Sequence, residues 1–202
     1  MKAPRTPDAG KTCSPPSQAR GIRRARELQD VATELFIEKG IEETTIDEIV
    51  ERAGVAKGTF YHYYPSKAAL VNAIGRSVTE DFDSYIEAAM REQTSASPAQ
   101  RLDTWIQAVC EAYAMIIQRQ DIGFSSAGFR WTPRGQTHLE LLVALLEEGN
   151  RQAAWSLASL YETAIFIEKG VLGVMDDLVL ADQSLDGVHK NIRELVHRAV
   201  GI

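Results

Sequence analysis

Apolar residues recur along the chain at helical spacing almost throughout. From about Ser17 to Lys39, positions Ile22, Ala25, Leu28, Ala32, Leu35 and Phe36 return at steps of three and four, the stripe of an amphipathic helix that Gly40 stops. A second helix opens at Thr45, with Glu48 three residues on to complete a capping box, and buries Ile46, Ile49, Val50 and Ala53 before Gly54 ends it. A short third segment, from Ala56 to Tyr64, is closed by Pro65. Ser66 then caps a long helix through Leu70, Val71, Ile74, Val78, Phe82, Tyr85 and Ile86 towards Met90, broken at Gln93 to Pro98. Further helices are predicted over about 98–119, 133–150, 155–180 and 184–200, with an irregular piece around 123–132. No segment alternates with the period of a strand, so the fold class is all-α.

Composition fits a globular chain: 202 residues, 45% hydrophobic, 25% charged. No apolar run approaches the roughly 18 residues of a membrane span. The proline-rich, charged start MKAPRTPDAGKTCSPPSQARG lacks the apolar stretch of a signal peptide. Residues 1–18 are expected to be disordered. Cys13 and Cys110 cannot build a disulfide framework, and the expected location is a reducing cytoplasm.

Charge divides the chain. The net charge is -6, yet within residues 1–26 Lys2, Arg5, Lys11, Arg20, Arg23, Arg24 and Arg26 face Asp8 alone. That asymmetry fits an end that meets polyanions, by phosphate tracking or entry into the minor groove; a solvated tail is the plain alternative.

Two short helices joined by a tight glycine turn form the pattern of a helix-turn-helix. In the second, Phe60 and Tyr64 stand four apart and share an inward face. Lys57, Gly58, Thr59, Tyr61, His62 and Tyr63 are left on the other faces. Donors and flat amphipathic rings suit phosphates and base edges better than they suit a packing surface.

Residues 40–74, GIEETTIDEIVERAGVAKGTFYHYYPSKAALVNAI, closely resemble the DNA-binding domain of the tetracycline-repressor (TetR) family of bacterial transcriptional regulators. The Thr-Thr opening, Ile-x-x-x-Ala-Gly-Val, Lys-Gly-Thr-Phe-Tyr and Pro-Ser-Lys-x-x-Leu arrive in order. Beyond residue 75 only length and helical pattern agree. The resemblance implies a basic arm over 1–18, a helix-turn-helix domain over 19–66, and a helical ligand-binding and dimerisation domain over 67–202. It places DNA contacts on Thr44, Thr45, Lys57, Gly58, Thr59, Tyr61, His62, Tyr63 and Lys67. Tyr61 and Lys67 are expected on phosphates, Thr59, His62 and Tyr63 nearer bases. Ala56 stands where the family usually has serine, so that helix cap is missing.

The implied function is a sequence-specific regulator, most simply a repressor released from a near-palindromic operator by a small molecule. An activator of the same fold, or a helical ligand-binding or adaptor protein without a DNA role, are the alternatives. Residues 157–179 are apolar in every direction and the last helix carries one apolar stripe. Together they suggest a dimer interface through Ile165, Val171, Leu172, Met175, Leu185, Val188, Ile192 and Leu195, with Gly170 and Gly173 allowing close approach. Trp105, Tyr113, Phe124, Phe129, Trp131 and Tyr161 are candidates to line a pocket for an apolar or aromatic effector, with Cys110, Arg130, His138 and Glu162 as polar groups. Neither a metal-ligand spacing nor a phosphate loop or nucleophile elbow is present, so no cofactor, metal or enzymatic role is expected.

Overall fold

A computed structural model describes residues 16–93, 95–119, 137–181 and 183–202. Eight helices occur among them: α1 Pro16–Lys39, α2 Ile46–Arg52, α3 Lys57–Tyr63, α4 Lys67–Arg91, α5 Pro98–Arg119, α6 Thr137–Arg151, α7 Leu160–Leu180 and α8 Val188–Val200. No strand is present among the described residues. The expected arm over 1–18 is corrected at its end: residues 16–18 are helical, with Pro16 at a first helical position where its missing N–H costs nothing. Residues 1–15 lie outside the described part of the chain, as do the expected irregular piece over 123–132 and the expected helix start at Pro133.

Two separate hydrophobic cores form. The smaller gathers Leu28, Ala32, Leu35 and Phe36 of α1, Ile49 and Val50 of α2, Phe60 of α3, Tyr64, and Leu70 and Ala73 of α4. The larger packs Phe82, Ile86 and Met90 of α4 against α5, α6, α7 and α8, around the fully buried Trp105, Leu142 and Leu145. Helix α4 serves both. Its first turns belong to the small core and its last turns to the large one, so a single rod of about 37 Å couples them.

Two boundaries differ from the periodicity. Helix α7 begins at Leu160, not near 155, because the indole of Trp155 folds back over Gly149 and its Nε1 donates to the Leu146 carbonyl at 2.8 Å. The Asn150 amide then clamps the backbone of Leu157 on both sides, at 2.8 and 2.9 Å. Ala153 takes a left-handed conformation within that corner (φ 55°). Helix α8 begins at Val188, not near 184, since Gly187 at φ 70° breaks the helical path.

Candidate nucleic-acid interface

Helix α3 is held from beneath by rings. Phe60 is completely buried and stacks near Tyr64, 6.0 Å between centroids. The Tyr64 hydroxyl donates to the Ala25 carbonyl at 3.1 Å and accepts from Gln29 Nε2 at 2.9 Å, which fixes the end of α3 to α1. Burial pushes the Tyr64 phenol up, so it stays a neutral donor. Ala56 at the N-cap makes no side-chain cap, in line with its missing hydroxyl.

Opposite that anchored face, Lys57, Gly58, Tyr61 and His62 are exposed, Tyr61 by 49% of its surface. Thr59 and Tyr63 are half-buried. Tyr61 stands edge-on to Phe60 at 5.5 Å and His62 edge-on to Tyr63 at 5.0 Å, so buried neighbours orient the exposed rings. No side chain crowds Gly58 within 4 Å of where a Cβ would sit. Lys57 Nζ pairs with Asp47 Oδ1 of α2 at 2.7 Å, and this hydrogen bond holds the lysine above its ordinary value.

Three of the expected DNA contacts are engaged within the chain itself. Thr44 is fully buried, and its hydroxyl donates to the Gly40 carbonyl at 2.7 Å and to that of Leu35 at 3.3 Å. It therefore locks the α1–α2 turn, a correction to its place among surface contacts. Thr45 caps α2, with its backbone N–H on Glu48 Oε2 at 2.8 Å and its hydroxyl accepting from Glu48 N. The capping box thus occupies the backbone N–H groups of Thr45 and Glu48. Hydrogen bonds from Lys39 and then Thr45 hold the Glu48 carboxyl down at about 2. Lys67 Nζ donates to three carbonyls, Ile41 at 2.7 Å, Thr44 at 2.9 Å and Glu42 at 3.2 Å. All three of its hydrogens are engaged in the DNA-free chain.

In the larger core, several expected pocket residues are structural. Trp105 is buried and its Nε1 donates to the His138 carbonyl at 3.1 Å. His138, 1% exposed, joins three helices: Nδ1 lies 2.6 Å from Asp83 Oδ1 of α4, and Nε2 lies 3.1 Å from Glu168 Oε1 of α7. Burial alone would lower the imidazole, but the two carboxylates outweigh it and hold it above its ordinary value. Burial likewise opposes ionisation of Glu168, and hydrogen bonds from His138 and Lys169 overcome it and keep the carboxyl low. Tyr113 donates to Asp176. Cys110 is buried and its thiol is pushed up to about 11 by that burial, so it is inert packing. Tyr161 is half exposed on α7, which corrects its place as pocket lining. Phe124, Phe129, Trp131 and Arg130 lie outside the described residues.

The interface residues need a similar correction. Val171, Leu172, Met175, Val188 and Ile192 are buried in their own chain's core, so they are unavailable to a second copy. Ile165 and Leu185 are partly buried against the same core, and Leu195 is 59% exposed. Exposed apolar groups outside the expected set are Phe166, at 70%, with Val174 and Ile202, beside exposed Gly170 and Gly173. Their signal was an i, i+4 spacing (Phe166, Gly170, Val174) on the flank next to Ile167, Val171 and Met175, one residue or about 100° around the helix. Asp83 and Glu168 were missed as well, although an acid inside an otherwise apolar helix asks for a buried partner.

The family model for bacterial regulatory proteins of the tetR family matches residues 28–74. The transcriptional repressor KstR2 of Rhodococcus jostii is 29% identical over 138 residues, which is 65% of this chain and 68% of that protein. The chain spans 31% to 54% of the next four curated regulators it matches. Among solved structures, the fatty acid degradation regulator FadR of Bacillus halodurans aligns with a TM-score of 0.67 at 19% identity, over 88% of this chain and 98% of that one. FadR of Bacillus subtilis, solved in complex with stearoyl-CoA, aligns at 0.63 with 20% identity over 88% and 98%. At such identities these two likenesses speak for the fold. No helix among the described residues is long and apolar enough to cross a membrane.

Proposed function

We propose that the chain is a DNA-binding transcriptional regulator of the tetR family that works as a homodimeric repressor released by a small apolar effector, a reading supported by the family model over residues 28–74 and the likeness to KstR2. The observation that carries the reading is the rigid mounting of α3. Phe60 and Tyr64 lock one face into the core while Gly58, Tyr61, His62 and the Asp47-paired Lys57 stand exposed on the other. A helix so presented enters a major groove, Gly58 giving close backbone approach, Tyr61 meeting phosphate, and Thr59, His62 and Tyr63 nearer bases. Thr45 supports this face by capping α2, and Lys67 by organising the turn before it.

One such helix reads too few base pairs for useful specificity. Two copies, paired through the exposed apolar groups of α7 and α8, address half-sites about 34–36 Å apart. The effector reading is supported by the α4 rod, whose two ends belong to different cores. A ligand that repacks the larger core tilts α4 and changes the spacing of the two α3 helices. The relative crystallised with stearoyl-CoA makes long-chain acyl-CoA thioesters the first effectors to try. The site of action is the cytoplasm, where chromosome and metabolite meet, and the role is regulatory, without catalysis.

The test is selection of genomic fragments by the purified protein, followed by titration of the recovered duplex with and without acyl-CoA. An inverted repeat bound in the nanomolar range, and released by one of the thioesters, is the expected result. Absence of any duplex preference at low salt overturns the reading.

A further inference from the structure

We propose that Asp47, in the first turn of α2, is a specificity-determining residue: it restrains Lys57 until α3 is seated in its operator, and so suppresses binding to other duplexes. The inference rests on the DNA-binding reading above and extends it to a residue outside the expected contacts. Lys57 is the only lysine or arginine of α3 and stands at the first position of that helix. Its Nζ lies 2.7 Å from Asp47 Oδ1, with the two side chains 52% and 71% exposed. The pair therefore bridges the two helices of the helix-turn-helix at the surface. Tyr61, four residues on from Lys57 and also exposed, stands beside it on α3.

Stability does not account for this carboxylate. An exposed ion pair adds little to a fold, and the start of α2 is already secured by the capping box of Thr45 and Glu48, with Glu48 also paired to Lys39. Beside the first turn of a recognition helix, a carboxylate is instead unfavourable wherever phosphates approach, because like charges repel. In the free chain Asp47 cancels the charge of Lys57. A duplex of the wrong sequence meets this cancelled pair and gains no phosphate contact from it. At the operator, base contacts carry α3 deeper, the weak pair opens, and Lys57 turns to a phosphate while Asp47 stays with water. Discrimination then comes from a penalty on wrong partners as well as from contacts with the right one. Lys67 is restrained differently, by backbone carbonyls that belong to the fold itself.

The experiment titrates the full-length chain, over a range of salt, with the duplex recovered by genomic selection and with a scrambled duplex of equal length. The variants are Asp47→Asn, Lys57→Met and the two combined. Asp47→Asn is expected to bind the scrambled duplex ~5-fold more tightly than wild type, the scale of one exposed ion pair. Its slope of log K against log salt on that duplex should steepen by about 0.9, as one more phosphate is neutralised. On the operator the slope should stay at the wild-type value, because Lys57 already meets a phosphate there, so the preference for operator over scrambled duplex narrows. In the Lys57→Met background the same substitution should leave both slopes at those of Lys57→Met alone. The melting temperature should match wild type, since both side chains are exposed. A gain on both duplexes that persists without Lys57 would reduce Asp47 to a general negative charge, and an unchanged affinity for the scrambled duplex would remove its restraining role. Either result overturns this inference and leaves the functional reading standing. If wild type prefers neither duplex, both fail.

Discussion

Lys67 shows how a single side chain acts through hydrogen bonds rather than through charge. An ammonium has three donors, and here each meets a carbonyl of the turn between α1 and α2. The Ile41 carbonyl keeps only the Thr44 N–H, at 3.3 Å, once the ammonium is removed, and the turn loses its common donor. The variant Lys67→Met is expected to lose about 2 kcal/mol of stability in urea unfolding, because charge-assisted hydrogen bonds in half-buried positions disappear together. It should weaken operator binding while changing the salt slope by clearly less than the ~0.9 expected when one phosphate goes unneutralised. Lys57→Met is the converse. Its Nζ is held only by the exposed Asp47, so the slope should fall by about 0.9 with little loss of stability. Equal slope changes in the two variants would return Lys67 to the phosphates. A second residue-scale outcome concerns Gly149, where a Cβ would lie 2.0 Å from the Trp155 indole. Gly149→Ala should cost about 3 kcal/mol in the same assay, at the upper end of overpacking.

Between elements, the polar link of Asp83, His138 and Glu168 ties α4 to α6 and α7 inside the larger core. Its neighbours from the facing helices are Lys169 on α7, 3.0 Å from Glu168 Oε2, and the Trp105 indole on α5, which bonds the His138 carbonyl. The folded imidazole is held above its ordinary 6.5, so between 6.5 and that raised value the folded chain binds more proton than the unfolded one. Its stabilisation is therefore complete below 6.5 and is lost as pH rises through the raised value. The melting temperature of wild type should fall over that window by more than that of His138→Gln, and the variant should be about 3 kcal/mol less stable at pH 6 because two buried carboxylates lose a partner. Parallel curves for the two proteins would rule this out. The elements themselves were largely legible in the sequence. Thr45 with Glu48, Ser66 before α4, and Phe60 four residues from Tyr64 are local signals that the folded chain uses locally. The triad was not legible, because its members lie 55 and 30 residues apart and meet only once three helices pack. For the same reason an apolar stripe on α8 announced a buried face without saying that the same chain buries it.

For the whole molecule the decisive question is what covers the outer face of α7. Val171, Leu172 and Met175 are consumed by the chain's own core, yet Phe166 is 70% exposed, with Val174 on the same helix and Leu195 and Ile202 on or next to α8. In the dimer proposed above, a second copy buries such exposed groups twice by symmetry. Gly170 and Gly173 leave their surroundings open within 4 Å, room for two α7 backbones to approach in the proposed dimer. Phe166→Glu places like charges on both sides of that axis and removes the largest exposed apolar group. The side chain packs against nothing in its own core, so the fold and melting temperature of the protomer should survive. The variant is expected to run as a monomer in analytical ultracentrifugation at micromolar concentration. Its affinity for the two-half-site operator should drop by roughly 10²-fold or more as the second half-site ceases to be engaged intramolecularly, while binding to an isolated half-site stays at the wild-type level. A variant that remains dimeric, or a monomer that binds the full operator as tightly as wild type, would separate dimerisation from this face and break the link between α7 and the spacing of the two recognition helices.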